Sequence, residues 1–217
     1  MPTEPEPTAR SPLRRRLETA LIGGGALLLA FVGAVHLDAY WAQRLAARQI
    51  QLSAADTPPE ALPAPGSPVA RLRSPDLDLD VVALEGVDPK ALRRGVGHFP
   101  GTALPGRTGN VSFAGHRDTF FRGLRDAAPG QRVHLETPEA TFVYEITETR
   151  IVEPDAVEVV APLTGGSHLT LVTCYPFDWI GPAPQRFVVR ASLTEQRGAA
   201  AAASEGDGSA VPYERTP

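Results

Sequence analysis

The 217-residue chain carries 21 basic against 25 acidic side chains, a formal charge of −4. It therefore lacks the dense Lys/Arg excess that a phosphate backbone requires, which excludes nucleic acid as its main partner. Its single cysteine, Cys174, excludes an intramolecular disulfide and any cysteine-cluster metal site, and its 22 prolines and 20 glycines suit a loop-rich β protein with linkers.

The chain opens with a basic segment, Arg10 and Arg14-Arg15-Arg16, followed by TALIGGGALLLAFVGAVHL (Thr19–Leu37), in which no Asp, Glu, Lys or Arg occurs. At a 1.5 Å rise per residue this run makes about 28 Å of helix, close to the thickness of a bilayer core. Basic residues before the run outnumber those soon after it (Arg44, Arg48), which favours a cytoplasmic N-terminus and an exported remainder. A cleaved signal peptide has the same basic-then-apolar order, but the run is long for one and no small-x-small site closes it before Asp38. The expected organisation is a cytoplasmic segment (1–16), a single-pass anchor in the cytoplasmic membrane (17–37), and a linking region (38–68). That region begins with helix formers, AYWAQRLAARQIQLSAA, and ends in the proline-rich TPPEALPAPGSP (Thr57–Pro68), which reads as a semi-rigid stalk. A catalytic-sized unit (69–194) follows, and then an Ala-, Gly-, Ser- and charge-rich tail (195–217) of disordered composition.

Within 69–194 the dominant period is two. LDLDVVAL (Leu77–Leu84), NVSFA (Asn110–Ala114), QRVHLET, TFVYEITET, HLTLVTC and RFVVRASL read as strands, with Thr137–Ala140 a hairpin-like turn. Between the first two strands, Asp88 to Gly95 has a helix's Asp cap, first-position Pro and terminal Gly. Six to eight strands and one or two short helices predict a mainly β, small closed or nearly closed barrel.

Three polar stretches exceed what a plain barrel needs. NVSFA runs into Gly115-His116-Arg117-Asp118. In HLTLVTC, alternation places His168, Thr170, Val172 and Cys174 on one face and Leu169, Leu171 and Thr173 on the other. Twelve residues after Cys174, Arg186 opens a strand that follows the loop DWIGPAPQ. A lone thiol at a strand end is either inert packing or a nucleophile. A neighbouring His and guanidinium favour the thiolate; His can then serve as acid and base, and Arg can stabilise an oxyanion. If adjacent strands bring these ends to one rim, Cys174, His116 and Arg186 form a site. Thr173, Tyr175 and His98 are candidate substrate-binding residues. Phe177 and Trp179 form an apolar wall or anchor their loop, and Arg117 is a surface or groove charge. Asp118 reads as a cap for a following helix rather than the third member of a triad. His134 and His168 read as structural, and Asn110 as a strand start. The acidic stretches LDLD and DPK are not dense enough to predict a required Ca²⁺ or other metal, and no cofactor is expected.

The runs GHFPGTALPG, GNVSFAGHRDTFFRGLRDAAPGQRVHLET and LTLVTCYPF with GPAPQRFVVRA resemble the sortase family, most strongly its class D branch, over about Val69–Leu193. The resemblance implies an eight-stranded β-barrel transpeptidase, with the family's His, Cys and Arg matching His116, Cys174 and Arg186. It also implies partners: secreted proteins with a C-terminal LPxTG-like sorting signal, and an amine acceptor such as a peptidoglycan precursor or a pilin lysine. Two other readings stay open. An L,D-transpeptidase also uses Cys and His on a β scaffold, but with His shortly before the Cys, whereas here 58 residues separate them. A non-enzymatic anchored scaffold would have no need of an intact His, Cys and Arg.

Overall fold

A computed structural model describes residues 12–52 and 62–198 of the chain. It divides into two units, residues 1–40 and 41–217. The first unit is the greater part of helix α1 (Pro12–Leu52). Leu21, Ile22, Leu27, Leu28, Leu29 and Phe31 project from it into solvent, and the helix is long and apolar enough to cross a membrane.

The second unit is a closed barrel with strand order β1-β2-β3-β4-β7-β8-β6-β5. Its strands are β1 (Pro68–Ser74), β2 (Leu79–Glu85), β3 (Val96–His98), β4 (Gly109–Ala114), β5 (Arg132–Glu136), β6 (Ala140–Val152), β7 (Ser167–Tyr175) and β8 (Gln185–Gly198). Helix α2 (Pro89–Arg94) carries β2 over to β3, capped by Asp88, whose carboxylate accepts from Lys90 N (2.8 Å) and Ala91 N (3.2 Å). Two pairs, β2·β3 and β4·β7, are parallel; the others are antiparallel. Closure leaves no free edge, so every strand finds two ladder partners.

Alternation sorts side chains between the interior and the outer face. Leu72, Val81, Val111, Phe113, Leu135, Tyr144, Ile146, Leu169, Leu171 and Val189 fill the interior. Burial pushes the Tyr144 phenol above its ordinary range, while its oxygen accepts from Gly106 N (3.2 Å). β1 and β3 are not among the strands expected: β1 does alternate buried Ala70, Leu72 and Ser74 with Arg71 and Arg73 but is short, and β3 is three residues long. β8 continues to Gly198, four residues into the segment expected as tail, because β6 from Ala140 to Val143 presents backbone that Glu195–Gly198 pairs with. Of the linking region, 53–61, including the first five residues of the proline-rich stretch, lie outside the described residues, as do 199–217 of the tail. Ser67 is already tied to the end of β2, accepting from Glu85 N at 2.8 Å.

Within the second unit the last turns of α1 pack on the outer face of β2. Ala46 and Ile50 cluster with Val82 and Leu84. The Gln43 amide acts as a strand surrogate: Oε1 accepts from Val82 N (2.7 Å), and Nε2 donates to Val82 O (3.0 Å) and Arg94 O (2.7 Å). Gly95 makes this possible, since a Cβ there would run into the Gln43 amide. Gln43→Ala strands three backbone groups at a part-buried site. The expected cost is about 1–3 kcal/mol, read as faster amide exchange at Val82 in the full chain, whereas unchanged protection would show the amide to be incidental.

Candidate active site

Cys174 and Arg186 are directly paired across β7 and β8. Directly opposite residues of an antiparallel pair lie with Cβ atoms about 4.5–5.5 Å apart on the same face. Leu169 and Leu171 point into the core, so Cys174 shares the outer face with Thr170 and Val172. The third residue arrives through the parallel β4·β7 ladder. Each β4 residue faces the β7 residue 58 positions later, from Gly109–Ser167 to Ala114–Val172, and the same step from His116 lands on Cys174. The ladder continues past the end of β4, since Gly115 N donates to Val172 O (3.1 Å). His116, Cys174 and Arg186 thus come to one rim of the barrel, His116 exposed and the other two half-buried.

The surrounding backbone is tightly held. The Thr173 hydroxyl donates to Gly115 O (2.7 Å), and His116 O accepts from Phe121 N (3.0 Å). The buried Phe121 ring lies over Gly115, where a Cβ would meet it at 2.7 Å, so only glycine lets the turn fold this closely onto the core. On the other side, Arg186 Nη1 donates to Gln185 O (2.9 Å) and Ala183 O (3.2 Å), fixing the guanidinium at the start of β8. Tyr175 stacks on Phe187 at 6.2 Å between centroids, and Phe177 packs edge-on to both rings. These aromatics anchor the β7–β8 loop and leave Trp179 and Ile180 exposed at its tip.

Other candidates sit differently. Thr173 is buried and its hydroxyl is engaged with Gly115, so it supports the turn before His116. His98 is 1% exposed, with both ring nitrogens bonded within the protein: Nδ1 to Glu85 Oε2 (2.6 Å), Nε2 to Ala103 O and Thr102 Oγ1 (both 3.0 Å). Its ring offers nothing to a peptide on the surface. Asp118 caps no helix. The 3₁₀ turn Arg122–Asp126 starts after Phe121 without a side-chain cap, because the chain from His116 first makes a tight turn closed through His116 O. His134 is half-buried on β5, where burial and Arg197 hold its imidazole below the ordinary range. His168 meets Ser192 Oγ at 3.4 Å, and Asn110 is buried, donating to Ala161 O (3.1 Å) and accepting from Thr170 Oγ1 (2.8 Å). Among the described residues, no three His, Cys, Asp or Glu side chains converge as metal ligands.

Arg117, expected as a surface or groove charge, is half-buried and makes contacts that the local pattern does not show. Its Nη2 donates to Trp179 O (2.6 Å) and Gly181 O (3.3 Å), in the loop between Cys174 and Arg186. Nothing in the sequence near Arg117 signals a partner 62 residues away.

The barrel defines a class. The structure matches Clostridium perfringens sortase D5 with a TM-score of 0.63 at 24% identity, covering 71% of this chain and 99% of that one. Sortase E1 of Streptomyces coelicolor, solved with a tripeptide in its active site, matches at TM-score 0.58 and 32% identity, covering 67% of this chain and 97% of that one. The Sortase domain family model matches residues 72–194, and the chain belongs to the sortase family, a family of transpeptidases. Bacillus subtilis sortase D is 33% identical over 127 residues, 58% of this chain and 64% of that protein, so the chain spans just under two thirds of this relative's length.

Proposed function

We propose that the chain is a membrane-anchored cysteine transpeptidase that cleaves an LPxTG-like sorting signal and transfers the protein to an amine. The carrying observation is the joint register that puts Arg186 opposite Cys174 and His116 level with it. The Cys174 thiolate attacks the carbonyl carbon of the signal's Thr, giving a tetrahedral oxyanion. N–H groups of the Arg186 fork not spent on loop carbonyls donate to that oxyanion. Collapse breaks the Thr C–N bond; His116 gives its proton to the departing amine, and a thioester on Cys174 remains. An incoming amine attacks the thioester, His116 takes its proton, and Cys174 leaves as thiolate. The new amide joins the protein to the acceptor, a peptidoglycan precursor or pilin lysine.

Helix α1 fits this reading as an anchor with its N-terminus inside, holding enzyme, substrate and acceptor at one surface where effective concentration is high. The proposed steps run through the side chains of Cys174, His116 and Arg186. Cys174→Ala in the full chain is expected to abolish both cleavage of an LPxTG-like peptide and the thioester adduct seen by mass spectrometry. Cleavage persisting in that variant would remove the nucleophile assignment.

A further inference from the structure

We propose that Arg117 is a positioning residue that holds His116 in register with Cys174; the inference rests on the His–Cys–Arg reading above. His116 lies beyond the last β4 residue in the ladder, on an exposed turn, where strand pairing alone no longer fixes it. Its two chain neighbours are both tied to the segment that carries Cys174. Gly115 is held from the N-terminal side of Cys174, by Val172 O (3.1 Å) and the Thr173 hydroxyl (2.7 Å). Arg117 is held from the C-terminal side, by Trp179 O (2.6 Å) and Gly181 O (3.3 Å). His116 is thus slung between two anchors that straddle the nucleophile.

The loop at the Arg117 end is itself fixed, so the tether has something firm to pull against. Arg125, from the same connection as Arg117, pairs with Asp178 (3.0 Å) and lies over the Phe177 ring (5.5 Å). Phe177 packs on Phe187 (5.4 Å), the neighbour of Arg186, and Trp179 Nε1 closes the tip by donating to Pro182 O (2.9 Å). Arginine suits the task because one guanidinium nitrogen reaches two carbonyl oxygens while its charge strengthens both bonds.

The test uses the full chain in detergent micelles and exploits its single cysteine, so that iodoacetamide reports on Cys174 alone. Rate–pH profiles of alkylation are compared for the wild type, Arg117→Ala, Arg117→Lys and His116→Ala, beside steady-state kinetics on a sorting peptide. Arg117→Ala is expected to displace the profile most of the way to that of His116→Ala. It should also lower kcat by about 10–100-fold with KM changed less than about 2-fold, the pattern of a misplaced acid–base group. Arg117→Lys, which keeps one charged donor for Trp179 O, should recover most of both. An Arg117→Ala profile that overlays the wild type, or a raised KM with kcat intact, would overturn the inference and leave Arg117 as a loop-shaping residue. His116→Ala overlaying the wild type is a different failure: it removes the His–Cys coupling, and the inference with it.

Discussion

Arg186→Lys is expected to lower turnover by about 10²–10³-fold while leaving the barrel folded, the loss typical of removing an oxyanion donor. Position 186 pairs with Cys174, so a cation there stays near the proposed nucleophile whichever basic residue supplies it. The two side chains differ in how their donors are divided. Arg186 commits Nη1 to the carbonyls of Ala183 and Gln185, which orients a planar fork whose other N–H groups point elsewhere. A lysine ammonium is a single centre, and the same two carbonyls would compete for it with the oxyanion. Steady-state kinetics on a sorting peptide checks this, with Cys174 alkylation confirming an intact thiol. Near-wild-type kcat in Arg186→Lys would show that charge alone suffices and that the fork has no role.

The second large effect concerns stability. Glu85 and His98 face each other inside the barrel at 2.6 Å, and both are buried. Ala103 O can only accept, and the Thr102 hydroxyl donates to Phe99 O, so His98 Nε2 carries a hydrogen. The short Nδ1–Oε2 contact then holds one further proton, shared between imidazole and carboxyl. Glu85→Ala leaves Nδ1 buried without its partner and opens a cavity, for an expected loss of about 3–5 kcal/mol. That corresponds to a fall of roughly 10 °C or more in Tm for a unit of this size. Glu85→Gln should cost only about 1 kcal/mol, because its amide N–H can donate to a bare Nδ1 while Nε2–H keeps Ala103. Differential scanning calorimetry separates the two variants. Equal losses would mean that the pair depends on charge rather than on a shared proton.

The pair also shows why some residues were legible from sequence and others were not. His98 stands in a loop-like run, GVGHFPGTALPG, where a polar ring suggests contact with a ligand. Its role depends on Glu85, brought beside it only by the parallel β2·β3 pairing. Gln43, which no pattern singles out, and Arg117, which reads only as a surface or groove charge, are similar: their partners, 39 and 62 positions away, are backbone groups with no side-chain signature. Asp118 fails the other way, since a local capping rule was satisfied on paper while the chain closed its turn through a main-chain carbonyl instead.

What the sequence determined by itself is whatever local rules control. The apolar run became a helix able to cross a membrane, Asp88 and Gly95 bounded α2, and period-two alternation set Leu169 and Leu171 against Cys174. These follow from side-chain volume, capping and pleat, which act within a few residues. The tertiary structure alone decided register. The step of 58 along β4·β7 and the direct Cys174–Arg186 pairing come from closing eight strands into one barrel. Alternation forbids a slip of one residue, which would turn a strand's outer face inward, but a slip of two would keep the faces and still part the three side chains, and no local pattern in the chain tells those registers apart.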